Sequence, residues 1–131
     1  MWISNGPFST VQRTVGTGGT DAGSLSVMSS NTAVKAAAAP TDGTIFGIAT
    51  KAYSAGEVGI FYSITDETII GAKYTGSTKT SLTDADLGKV FDLSDDETVN
   101  LDDTTGGCSV CEGYDNDKDV IYFKIAPAKL G

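Results

Sequence analysis

Thr44–Thr65 reads TIFGIATKAYSAGEVGIFYSIT, and this stretch decides the fold. It has the form of two strands joined by a turn. Val58, Ile60, Tyr62 and Ile64 fall on one face of the second strand, at the period of two that a half-buried strand requires. The first strand carries Phe46, Ile48 and Ala52 on one face and Ile45, Ala49 and Tyr53 on the other, so it is expected to be covered on both sides. Ser54–Glu57 is the turn, and Gly56 supplies the positive φ that a hairpin loop of this length often needs. Gly47 and Gly59, inside the strands, predict a bend or a close backbone approach.

Turn signals recur every 8 to 12 residues on the C-terminal side of this hairpin. TIIGAKY (Thr68–Tyr74), KVFDL (Lys89–Leu93), TVNL (Thr98–Leu101), CSVCEGYD (Cys108–Asp115) and DVIYFKIA (Asp119–Ala126) all read as strands. In the last of them Ile121, Phe123 and Ile125 alternate inward. Thr83 is a helix N-cap with Asp84 and Asp86 in the first turn and Gly88 as the stop, which predicts one helical turn near residues 83–88 with Leu82 and Leu87 as its apolar contacts. The expected fold is mainly β: a small single-domain β-barrel or β-sandwich.

On the N-terminal side the chain is rich in Gly, Ser and Thr. Thr14–Val27 offers little apolar surface to offset the entropy of ordering. Residues 1–31 are therefore expected to form a flexible or partner-ordered N-terminal arm, and residues 32–131 the β-rich domain, opening with a strand over Thr32–Ala38 and a turn at Pro40–Gly43. Trp2, Ile3, Phe8 and Val11 are the arm's candidate partner contacts, placed to add a strand to a neighbouring sheet.

The charge is unevenly spread. Residues up to Leu82 hold five acids and five bases; the 49 residues from Thr83 onward hold twelve acids and four bases and account for the whole net charge of −8. No basic face for nucleic acid is visible. No run is long and apolar enough to span a membrane, and MWISNGPFSTVQ lacks the basic and apolar regions of a secretory signal. Histidine is absent, which removes the commonest general base and metal ligand. No nucleophile elbow or phosphate loop is present, so no enzymatic activity and no cofactor are expected.

Two motifs have a chemical reading. Cys108 and Cys111 form a CxxC, but the second ligand pair of a zinc site is missing and the context is strand-like rather than a helix N-terminus. Two ordinary cysteines are the leading reading, ahead of a local disulfide and of redox chemistry. Asp115, Asp117 and Asp119 occupy positions 1, 3 and 5 of a calcium loop, but Val120 and Ala126 stand where glycine and glutamate are required. They are weak cation candidates in what reads as a hairpin turn.

Gly47-Ile48-Ala49, Ala55-Gly56-Glu57, the element Leu82–Asp92 and the terminal Gly113–Ile125, taken in order, resemble the head decoration proteins of tailed bacteriophages over roughly residues 32–126. The resemblance implies a non-enzymatic, capsid-stabilising (cement) protein on the outer surface of the mature expanded head. The implied partner is the major capsid protein. The implied assembly is a homotrimer made in the host cytoplasm and carried on the virion, without direct contact to nucleic acid or membrane. The competing reading is a β-sandwich adhesion or carbohydrate-binding module using exposed tyrosines.

Overall fold

The computed structural model describes residues 1–131. Eleven strands occur in the order β1 (Trp2–Asn5), β2 (Phe8–Thr14), β3 (Leu25–Ser29), β4 (Thr32–Lys35), β5 (Ile45–Ala49), β6 (Val58–Ile64), β7 (Ile69–Thr75), β8 (Val90–Leu93), β9 (Thr98–Asn100), β10 (Ser109–Asp115) and β11 (Val120–Ile125). They form a six-stranded sheet, β1-β7-β11-β10-β8-β9, and a five-stranded sheet, β2-β6-β5-β3-β4.

Each sheet curls. In the six-stranded sheet β9 pairs antiparallel with β8 and parallel with β7, so five of its strands form a closed ring. β1 occupies the rest of the same β7 edge, pairing with residues 69–71 while β9 pairs with residues 73–75. The five-stranded sheet bends until Val15, just past β2, bridges Ala33 of β4. Closure of this kind leaves fewer open edges than a flat sheet has.

The larger core fills the ring and the space between the sheets. Ile70, Phe91, Ile121, Phe123 and Ile125 meet Leu25, Ile45, Ile48 and Ile64 there. A smaller core, built on Phe46, Phe61 and Tyr53 with Val15, Ala33 and Ala49, lies inside the curl of the five-stranded sheet. This explains why β5 is buried at all five positions: Ile45 and Ile48 join the larger core and Phe46 and Ala49 the smaller, so the expected sharing of one face by Phe46 and Ile48 is not kept, the β3–β5 ladder shifting register at this point. The inward alternation of Ile121, Phe123 and Ile125 is as the sequence predicts.

Residues 1–31 do not form a separate arm. They supply β1 to one sheet and β2 and β3 to the other, with β2 paired to β6 along its whole length. The boundary expected at residue 31 therefore divides no structural parts. Apolar content misled here because small polar side chains are buried with their partners. Thr20 Oγ1 donates to the Lys51 carbonyl, Ser26 Oγ donates to the Ser24 carbonyl, and Ser24 Oγ accepts from the Asp21 N–H. Satisfied in this way, such groups enter an interior at little cost.

The predicted helical turn is a 3-10 turn, Asp84–Asp86, entered through Thr83. Leu82 is buried beneath it, but Leu87 is exposed and makes no core contact of the kind expected. Asp86 carries the local structure. It is buried, it accepts from the Thr83 N–H at 2.8 Å, and its carboxylate pairs with Lys79 at 2.9 Å and Lys89 at 3.2 Å. Burial alone would raise its pKa; the two ammonium groups and the Thr83 N–H outweigh that and bring it down to about 2. Lys79 is held in turn by Asp102, whose carboxylate accepts from the N–H groups of Ser77, Thr78 and Lys79. A second 3-10 turn, Pro127–Lys129, leads the C-terminus back to β5, where Leu130 bridges Ile45.

Candidate interaction surface

Alternation on β6 is as expected, but over most of its length the buried face is the other one. Gly59 and Phe61 point into the smaller core, where a Cβ on Gly59 would press on the ring of Tyr53. Val58, Ile60 and Tyr62 are 61%, 42% and 36% exposed, and only Ile64 at the end of the row is covered. The physical reason is the reach of the six-stranded sheet, which packs over one end of this face and leaves the rest open.

Phe8 of β2 joins the row. It lies opposite Ile64 in register and meets Tyr62 edge to face, with ring centroids 5.4 Å apart. Further along β2, Thr10, Gln12 and Thr14 stand opposite Tyr62, Ile60 and Val58. This face carries no charged side chain, in a protein of net charge −8. Arg13, the only charge on β2, points to the opposite face, with its guanidinium 5.6 Å from the centre of the Phe46 ring. At one end the face deepens into a groove of about 480 Å³ between the sheets, walled by Trp2, Phe8, Ile48 and Tyr62 and by Met1 and Gly23. Contiguous exposed apolar surface with a polar rim is the usual mark of a binding site.

The expected partner contacts divide. Trp2 and Phe8, both about half exposed, come together at the groove. Ile3 packs against the larger core and also lines the groove, while Val11 packs against the smaller core away from it; both are half-buried. Val58, Ile60 and Tyr62 were the residues that sequence reasoning assigned to the sheet rather than to the surface. Their alternation was visible, but alternation does not say which face a second sheet will cover.

Asp115, Asp117 and Asp119 lie in the β10–β11 turn, where the Asp115 carboxylate accepts from the Asp117 N–H. Their carboxylates do not converge. The acidic groups that do are Asp21, Asp96 and Glu97, from two loops distant in sequence. Cys108 and Cys111 are free thiols in the larger core. Burial pushes the Cys108 thiol up to about 11 and raises that of Cys111. Such thiols are poor nucleophiles and poor redox centres. Of the five tyrosines, Tyr53 and Tyr74 are buried, Tyr114 and Tyr122 are half-buried, and Tyr62 alone lies on the open face.

No protein-family model matches the chain, and no curated protein matches it.

Proposed function

We propose that the protein is a non-enzymatic structural component that decorates the outer surface of an expanded phage head and stabilises contacts between major capsid subunits. The observation that carries this reading is the uncharged apolar face of Phe8, Val58, Ile60 and Tyr62, taken with the resemblance of residues 32–126 to head decoration proteins. A cement protein needs a rigid body, an adhesive face and no chemistry. Binding only the expanded shell stabilises that state by mass action, and three copies at threefold positions multiply a modest single-site affinity. Contact is made by an already folded face rather than by an arm that becomes ordered on docking.

Cosedimentation with expanded heads and with unexpanded shells of the phage encoding the chain tests this. Saturable binding to expanded heads alone, lost on Tyr62→Ser with Ile60→Ser, is the expected result; absence of binding to either shell overturns it. Light scattering on the free and shell-released protein tests the trimer. The second reading, a glycan-binding module, is favoured by the convergence of Trp2, Phe8 and Tyr62 at one groove, since sugar rings stack on aromatic faces. Glycan-array binding without head binding would select it.

A further inference from the structure

Four asparagines occur in the chain, and only Asn5 is followed by glycine. Asn5 ends β1, and Gly6 and Pro7 carry the chain from the six-stranded sheet to β2 of the five-stranded one. The crossing is tight. Gly6 has a φ of +89°, and a Cβ on it would stand 2.7 Å from the Glu67 carbonyl oxygen. Glycine alone meets both demands. The link is pinned on its far side by Thr68, whose Oγ1 donates to the Pro7 carbonyl.

The Asn5 side chain is folded onto this glycine. The Gly6 N–H lies between the two strands, outside both, and donates to Asn5 Oδ1 at 2.8 Å. Cγ, one bond away from Oδ1, is thereby held beside the Gly6 nitrogen, and proximity of this kind is what turns a slow encounter into an intramolecular reaction. Residue 6 has no side chain to obstruct the approach, and both residues are exposed, so water reaches them. The other asparagines lack this arrangement. Asn31, Asn100 and Asn116 precede Thr32, Leu101 and Asp117. Asn100 Oδ1 accepts from the Asp102 N–H at 2.9 Å, and the Asn116 amide is fixed by the Tyr74 hydroxyl and by both backbone groups of Leu82. Asp42-Gly43 is the nearest analogue, but a carboxylate is a far poorer electrophile than an amide, and Lys129 Nζ holds this one at 2.9 Å.

We propose that Asn5 is a self-modification site, at which the folded β1–β2 crossing converts the asparagine to aspartate and isoaspartate with Gly6 as the internal nucleophile. The Gly6 nitrogen gives its proton to solvent and bonds to Asn5 Cγ. The Cγ–Nδ2 bond breaks, and Nδ2 takes a proton and leaves as ammonia, which closes a five-membered succinimide. Water then opens the ring. Cleavage of the new N–Cγ bond gives aspartate; cleavage of the original peptide bond gives isoaspartate, with the main chain running through Cγ. The sum is asparagine plus water to aspartate or isoaspartate plus ammonia, with no oxidant or cofactor. Either product places a negative charge three residues before Phe8, beside a face that carries none. Isoaspartate also adds one carbon to the short link that ties β1, and with it Trp2, to β2. The site stands independently of the capsid reading.

The test ages the whole folded chain in neutral buffer, beside a sample of the same chain held unfolded in urea. Peptide mapping by mass spectrometry follows each asparagine, labelling with a protein-isoaspartate methyltransferase counts isoaspartate, and anion exchange separates the more acidic product. Expected in the folded chain is conversion at Asn5 at least about tenfold faster than at Asn31, Asn100 or Asn116, at a rate no lower than in urea. Ammonia should appear in step, and both products should be found. Asn5→Gln, which would need a larger ring, should stay unmodified at residue 5 while keeping its near-UV circular dichroism. Gly6→Ala should slow the reaction, and the glutamine variant decides if the alanine variant does not fold. The proposal is overturned if Asn5 persists in the folded chain while it converts in urea, or if another asparagine converts as fast.

Discussion

Trp2 stands directly opposite Gly71 across the β1–β7 pair, with its indole seated where a side chain on Gly71 would be. The ring thus lies against bare β7 backbone, and it is this seat that holds a tryptophan near the chain's end in one place beside the groove. Glycines in sheets are often covered by an aromatic neighbour in this way.

Gly71→Ala should unseat the ring. The Cβ would overlap several indole atoms, and the ring, being the far end of a movable side chain, gives way before β7 does. The expected cost is about 1 kcal/mol. Trp2 emission should shift to the red and become easier to quench with acrylamide, while far-UV circular dichroism stays the same.

Adjacent positions on β6 should respond in opposite ways. Phe61→Ala opens a hole in the smaller core and should cost about 3–5 kcal/mol. Ile60→Thr keeps the strand propensity on an exposed site and should change stability by no more than about 0.5 kcal/mol. Denaturant melts separate the two. If the open face is the capsid contact, only the second, stable variant shows weakened binding with an unchanged Cm.

Asp86 predicts an acid limb. Its folded pKa of about 2 lies below the ordinary aspartate value of 3.8, so the folded state favours the ionised form. That stabilisation is complete above pH about 4 and is lost as pH falls towards 2. Its size is roughly 1–2 kcal/mol once the partial exposure of Lys79 and Lys89 is allowed for. Asp86→Asn should therefore be less stable than the native protein at neutral pH, and the gap should close between pH about 4 and about 2. A gap that stayed constant down to pH 2 would show that the ion pairs contribute nothing.

The cysteines predict the opposite, alkaline limb. Cys108, raised to about 11 by burial, binds its proton more tightly folded than unfolded. Its contribution is complete below pH about 9 and declines as pH rises towards 11. Labelling with a thiol reagent at neutral pH should be slow and should follow global unfolding for both cysteines. Fast labelling of either would place it outside the core.

Much of the C-terminal half was legible because its strands alternate and its turns are marked by Asp, Gly and Asn. Of the CxxC, Cys111 falls inside β10 and Cys108 immediately precedes it, in line with the strand-like neighbours. The N-terminal third was misread because Ser24, Ser26 and Thr20 are buried through hydrogen bonds made with residues up to 33 positions away, which no local pattern carries. The open face was half legible. Val58, Ile60 and Tyr62 share a face by periodicity alone, but whether that face is covered depends on how far a sheet built from residues 69–125 extends. The Asp21–Asp96–Glu97 cluster was invisible for the same reason: its members meet only after both sheets have formed.

The placement of β1 has a kinetic consequence. The first strand belongs to the sheet built from β7 onward, while the next five strands build the other sheet. No single cut of the chain separates the two sheets, and β1 must wait for an edge of β7 that lies more than sixty residues away. Folding should accordingly be slow for the chain's length, as high contact order demands. The sheets should open as one cooperative unit in hydrogen exchange, with β1 the first strand released.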